Sequence, residues 1–304
     1  MEALRFNNID IARGLAMLVI IEWHTLGFHC SYTDGWAMPI FFFIMGIFYK
    51  QPVCLRDVVL KKAKGLLIPL LAFSFPALII ALVSKSLTSV VKQILNPYVN
   101  LHGVAWFLLC TFWCYIISYL VHKYIKSELL VLITFILISV IGYYTGQMHI
   151  LSHRVVLPFY FSTAMTAIGF LGIGEICKKY ILSIQDYKFK YLSASLLAYW
   201  GGVIMFSPQE TSYIWNTYGN SYISLLYNGV AGSVFIISLS NYLSSKLSAL
   251  GKYSLLLLLI HPYMIMIFSS FLSGWILYSA ILVSSIILSL LCGRYLPTLS
   301  GLKK

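Results

Sequence analysis

The sequence predicts an all-α, polytopic integral membrane bundle of about ten transmembrane helices. Three observations carry that expectation. First, 60% of the 304 residues are hydrophobic and only 10% are charged, against roughly 25% charged residues in a soluble domain. The mean hydropathy of +0.87 is more apolar surface than a water-soluble fold could hide. Second, the apolar residues come in runs of about 20, the length that spans a bilayer as a helix, and lack the alternation of a barrel strand. Third, the basic residues fall in alternate loops.

The spans are read near residues 9–28, 36–49, 64–84, 104–122, 129–146, 156–176, 190–207, 222–240, 253–271 and 274–293. The second is short, and the ninth and tenth are tightly joined. Helices are expected because backbone groups in lipid must be satisfied locally. With the N-terminus in the cytoplasm, 17 of the 21 Lys and Arg fall inside, in six groups from Arg5 to Lys304. Lys85, Lys92 and Arg154 fall outside, and Arg13 lies within the first span. This bias predicts that both termini are cytoplasmic. The expected location is the cytoplasmic (inner) membrane, among its lipids. Residues 1–304 read as a single membrane domain with no soluble appendage, internal repeat or low-complexity segment. No cleavable signal peptide is expected, because Glu22 and His24 interrupt the first apolar run and no small-residue cleavage site follows.

The formal net charge is +12. In a soluble protein that would suggest nucleic acid, but here it is explained by the cytoplasmic loops, and no nucleic-acid partner is expected. The 16% aromatic content includes many rings near span ends, where they anchor at the interface. Six cysteines (Cys30, Cys54, Cys110, Cys114, Cys177 and Cys292) are scattered and read as small apolar core residues. The histidines are dispersed along the chain, so no metal site is expected. No Gly-rich nucleotide motif is present.

Ionisable residues inside a bundle are costly, so each is a functional candidate. The first span holds four: Asp10, Arg13, Glu22 and His24. Arg13 and His24 are eleven residues apart, which is three turns plus about 20°, so they share a helix face with a rise of roughly 16 Å. Arg13 sits near the cytoplasmic mouth, with His24 deeper. Asp10 stands one turn before Arg13 and can pair with it. Glu22 points nearly opposite. Arg13 could instead snorkel to the interface, and His24 could merely bridge neighbouring helices.

The segment Asn8-Ile-Asp-Ile-Ala-Arg-Gly-Leu-Ala-Met-Leu-Val-Ile-Ile-Glu-Trp-His24 resembles the opening helix of acyltransferase family 3, whose first helix carries an Arg, ten intervening residues and then a His, the spacing of Arg13 and His24. Lys61-Lys62-Ala-Lys64-Gly-Leu-Leu-Ile-Pro69 resembles the basic loop leading into that family's third span. Trp106-Phe-Leu108 resembles the tryptophan motif opening the fourth. Tyr218-Gly-Asn220 and Gly251-Lys-Tyr-Ser254, followed by His261-Pro262, resemble late motifs of its fucose 4-O-acetylase-like branch. The resemblance covers nearly the whole chain in order. Two features depart from it: Gly65 stands where a basic residue is common, and Glu22 is not expected from the pattern.

The resemblance implies a membrane O-acetyltransferase. Acetyl-CoA would donate an acetyl group to a sugar hydroxyl of a surface polysaccharide or its lipid-linked precursor. The residue types suit that chemistry, since a histidine is a base near neutral pH and a covalent acyl-histidine is a second route. Lys and Arg suit the CoA phosphates. His24, Arg13, Asp10 and His261 are the catalytic candidates. Lys61, Lys64, Trp106, Asn220, Ser254 and Glu22 are the candidates for donor or acceptor binding. Several have plainer roles open to them: His261 filling a kink before Pro262, Ser254 capping a helix, Trp106 anchoring at the interface, and Lys61 and Lys64 setting topology. His102, His149 and His153 lie in external loops. The alternative function is a transporter or flippase for a lipid-linked sugar or small molecule, which also uses intramembrane charge.

Overall fold

A computed structural model describes residues 6–27, 31–84, 103–150, 153–154, 157–183, 188–206 and 211–297. Arg5, Cys30, Lys85, Lys92, His102, Lys303 and Lys304 lie outside the described residues.

The fold is all-α. Helix α1 (Asn7–Leu26) ends at Gly27, whose left-handed φ of 65° stops it. The short second span is two helices, α2 (Ser31–Ala37) and α3 (Pro39–Ile47), with Pro39 opening the second. Helix α4 (Leu55–Lys62) runs through a π-turn (Ala63–Leu67) into α5 (Ile68–Ser84). Then come α6 (Ala105–Tyr124), α7 (Glu128–Gln147), α8 (Phe161–Leu182), α9 (Lys188–Phe206) and α10 (Tyr222–Ser240). The short α11 (Ser248–Lys252) meets α12 (Ser254–Phe268), and α13 (Gly274–Tyr295) follows. Among the described residues the strands are two-residue pieces, His149–Ile150 and His153–Arg154, paired antiparallel.

Each of the ten apolar runs read from the sequence falls on a helix or a helix pair. Among the described residues five helices are long and apolar enough to cross a membrane: Trp106–Tyr124, Glu128–Gln147, Pro158–Leu182, Tyr222–Ser240 and Gly274–Tyr295. A sixth qualifies if Ser245–Lys252 and Ser254–Phe268, bent by 68° at their junction, form one span. The ten runs are thus met as helical units, while five or six qualify as spans by length and composition.

Helix α8 lies at the centre and packs closely on α3 and α7. Gly174 permits this, because a Cβ there would strike the backbone of Phe43. The outward faces are apolar. Leu130, Ile133, Leu137 and Ile141 of α7 and Ile276, Val283 and Ile287 of α13 are all exposed. This is the surface a bundle turns to lipid.

The segment 211–221 folds back into the bundle as a plug. Ser212 and Thr217 form a β-bridge around Asn216, which adopts φ 52°. Tyr213, Asn216 and Tyr218 are buried. Thr163 donates to the Tyr213 carbonyl at 2.9 Å, Tyr218 donates to Asn216 Oδ1 at 2.7 Å, and Tyr143 donates to the Gly219 carbonyl at 2.9 Å. These bonds satisfy irregular backbone that could not otherwise stay buried.

Candidate active site

The site is built on one face of α1. Arg13, Met17 and Ile20 line a cavity of about 250 Å³. They stand four and then three residues apart, the spacing of one helix face. His24, four residues further, ends the same stripe. The facing walls are Phe41, Phe42 and Met45 of α3, Phe107, Thr111 and Tyr115 of α6, and Ser254, Leu255 and Leu258 of α12.

At one end Arg13 pairs with Asp10, Nη1 to Oδ1 at 3.6 Å. The Arg13 side chain is 32% exposed and that of Asp10 9%, so the guanidinium stays accessible while its partner is enclosed. The enclosure comes from α11. Gly251 sits against the Asp10 backbone so tightly that a Cβ would land on the Asp10 carbonyl. Gly14 answers from α1, where a Cβ would press on Leu250 at 2.7 Å. Small residues on both faces let two backbones meet. This contact, with the bend after Lys252, brings the first turn of α12 and Ser254 to the cavity beside Arg13. The N–H groups opening a helix lack intrahelical partners and favour anions.

Basic residues gather nearby. Lys61 and Lys64, the two lysines singled out from the sequence, are exposed and do not line the cavity. Lys62 between them is half-buried, and its Nζ lies 3.4 Å from the centre of the Tyr115 ring. Tyr115 lines the cavity and is within electrostatic reach of Arg13. The π-turn that begins at Ala63, directly after Lys62, shifts the helical register at this point.

In the cavity wall Thr111 Oγ1 is buried and, among the described residues, meets no hydrogen-bond partner. A hydroxyl without a partner in an apolar wall is a ready contact for a polar ligand atom.

His24 and His261, read from the sequence as rival bases, are neighbours. Their rings stack with centroids 5.3 Å apart and planes inclined by 16°. His24 is exposed and His261 fully buried. His261 Nδ1 lies 3.0 Å from the Leu257 carbonyl. A carbonyl only accepts, so Nδ1 carries the hydrogen and Nε2 is the basic nitrogen of the neutral ring.

The remaining candidates disperse. Glu22 lies on the side of α1 toward α13, within electrostatic reach of Tyr278. Trp106 is buried and stacks on Tyr213 of the plug at 6.2 Å, so it packs as core and not as an interface anchor. Asn220 is exposed, whereas the neighbouring Asn216 and Tyr218 are enclosed. Ser254 is the first residue of α12, and the N-cap position is Tyr253. Burial pushes the Tyr213 and Tyr218 phenols well above the usual tyrosine range. Among the described residues no three His, Cys, Asp or Glu side chains gather as a metal site would require.

Lys62, Thr111 and Tyr115 escaped the sequence reading. Thr111 and Tyr115 stand four residues apart on one face of α6, so two polar side chains in an apolar span were the available signal. Nothing in the sequence reveals the inward turn of Lys62, which depends on a π-turn.

The helical bundle carries a cleft with Arg13 at one end of the α1 stripe and His24 at the other, and the family match makes it a membrane acyltransferase. The family model described as an acyltransferase domain matches residues 6–294, and the chain belongs to acyltransferase family 3. No curated protein and no solved structure matches it.

Proposed function

We propose that this membrane acyltransferase carries acetyl from acetyl-CoA to a sugar hydroxyl of a surface polysaccharide or its lipid-linked precursor. The observation that carries the proposal is the stripe on α1. Arg13 opens a cavity and His24, stacked on His261, ends the same face roughly 16 Å away. Arg13, the first turn of α12 and Lys62 suit the phosphates of CoA. The apolar walls between Met17 and Phe107 suit the pantetheine arm, with the Thr111 hydroxyl available to one of its amides or to the thioester carbonyl.

In the transfer, His24 takes the proton of the sugar hydroxyl as its oxygen attacks the thioester carbonyl. The carbon–sulfur bond breaks, and the imidazolium returns its proton to the departing thiolate. His261 braces the His24 ring and acts as a positioning residue. Asp10 holds Arg13 and does the same for the donor. The lysine-rich end of the bundle is the donor side, as the charge bias predicts for the cytoplasm.

The test is acetyl transfer by membranes containing well-inserted variants, read by mass spectrometry of the cell-surface glycan. His24→Ala should lower transfer by about 10²–10⁴-fold, the usual cost of losing a positioned base. His261→Ala should lower it less. Normal acetylation in His24→Ala with loss in His261→Ala would reverse the two roles. Normal acetylation in both would remove the site. A transporter would neither bind nor hydrolyse acetyl-CoA.

A further inference from the structure

A second cavity, of about 760 Å³, lies where the C-termini of α6 and α8 meet the N-terminus of α7. It shares no lining residue with the Arg13 cavity. His122, Lys126, Glu128, Glu175, Lys178 and Lys179 line it. Ile176 and Tyr180 complete an outer wall and are 42% and 63% exposed.

The His122–Glu175 pair holds a proton of its own. His122 Nδ1 lies 2.8 Å from the Ser118 carbonyl, which can only accept, so Nδ1 bears a hydrogen. His122 Nε2 lies 2.8 Å from Glu175 Oε1. A neutral ring and an ionised carboxylate would oppose two lone pairs there, so the contact requires one further proton on the pair. The groups facing the pair are the Tyr49 ring, 4.9 Å from that of His122, and the Phe135 ring, at 5.7 Å. Lys126 Nζ donates to the His122 carbonyl at 3.1 Å. A tyrosine phenol is neutral at neutral pH, so Tyr49 adds no charge.

The charges of the cavity then count as follows. Lys126, Lys178 and Lys179 bring three positive charges and Glu128 one negative. With its proton the His122–Glu175 pair is neutral and the lining carries +2; without it the lining carries +1.

We propose that this cavity binds the phosphate headgroup of an anionic phospholipid. A lipid is favoured over a soluble phosphate by what borders the cavity. Ile176 and Tyr180, one turn apart on α8, are exposed apolar wall. Acyl chains lie against Ile176 and Tyr180 while the phosphate meets the lysines, the pattern by which basic pockets between helices take lipid headgroups. The proton on the pair adds one positive charge, so lipid binding weakens as pH rises and the pair loses it.

The experiment uses the full chain in detergent with added phosphatidylglycerol or phosphatidylcholine of identical chains, and native mass spectrometry to count retained lipid on either side of neutral pH. Phosphatidylglycerol should be retained preferentially, more at the lower pH. Replacing Lys178 and Lys179 together by Ala should weaken it about thirty-fold, each lysine near a membrane surface being worth about five-fold. The double Arg variant should retain it, and His122→Gln should flatten the pH dependence. Equal retention of the two lipids by the unaltered protein overturns the proposal, whatever the variants do. Complete displacement by excess sn-glycerol 3-phosphate also overturns it, because the ligand would then be a soluble phosphate.

Discussion

Replacing Gly251 by Ala tests whether the α1–α11 contact builds the donor end of the site. Helix propensity alone favours Ala by about 0.8–1 kcal/mol. Against it stands the added Cβ, which would land on the Asp10 carbonyl, with the Asp10 carbonyl carbon and Cα next to it. These are backbone atoms of a buried helix and cannot rotate aside, so the overpacking cost lies at the upper end of the usual range, about 3 kcal/mol. The net expectation is a loss of about 2 kcal/mol. The two helices must also separate, which moves Ser254 away from Arg13 and weakens CoA binding. Gly201→Ala is the control, since a Cβ there meets nothing within 4 Å; it should be neutral or slightly stabilising. Thermal unfolding in detergent and CoA affinity would be measured on both variants. Gly251→Ala matching Gly201→Ala in stability, with unchanged CoA affinity, would refute the claim that this contact positions the site.

Arg13→Ala should weaken CoA binding roughly ten- to a hundred-fold, the worth of a charge-assisted phosphate contact of about 1.5–3 kcal/mol. Calorimetry on the purified protein reads this directly. Lys62→Ala should weaken CoA binding more than Lys61→Ala or Lys64→Ala, whose side chains are exposed; equal effects would deny Lys62 its inward role. The phenols of Tyr213 and Tyr218 are raised in the folded state, so their stabilising contribution is complete below the ordinary tyrosine pKa of about 10. It is lost as pH rises beyond that toward the folded value. Unfolding followed between neutral and strongly alkaline pH should show this decline, and Tyr213→Phe should make it shallower. Reporter fusions at residues 50–60 and 180–188 should read cytoplasmic and those at 148–154 external, as the charge bias requires.

The helical architecture was legible because continuous apolar runs leave the backbone no alternative in lipid. The pairing of Asp10 with Arg13 followed from a three-residue spacing that any helix imposes. The stripe from Arg13 to His24 followed from the same periodicity. What periodicity cannot supply is contact between helices distant in sequence. His24 and His261 lie 237 positions apart, and each looked sufficient alone, so their stacking was invisible. Lys62 was passed over for its two neighbours because a regular helix gives no reason to single it out; the π-turn does. Asn220 drew attention through its motif, yet the plug buries Asn216, whose left-handed φ no spacing rule announces.

The cost of keeping charge among apolar neighbours explains why the site sits on α1. A helix carrying Asp10, Arg13, Glu22 and His24 is expensive to keep among apolar neighbours, and each charge must find a polar contact. Asp10 answers Arg13, Glu22 lies toward α13, and His24 lies on His261. Arg13 keeps about a third of its side chain open at a cavity mouth. An arginine needed only to satisfy Asp10 would be enclosed with it, as Asp10 is by Gly251. The asymmetry between an enclosed carboxylate and an accessible guanidinium is what an anion-binding role requires, and it is why Arg13→Ala should cost donor affinity more than stability.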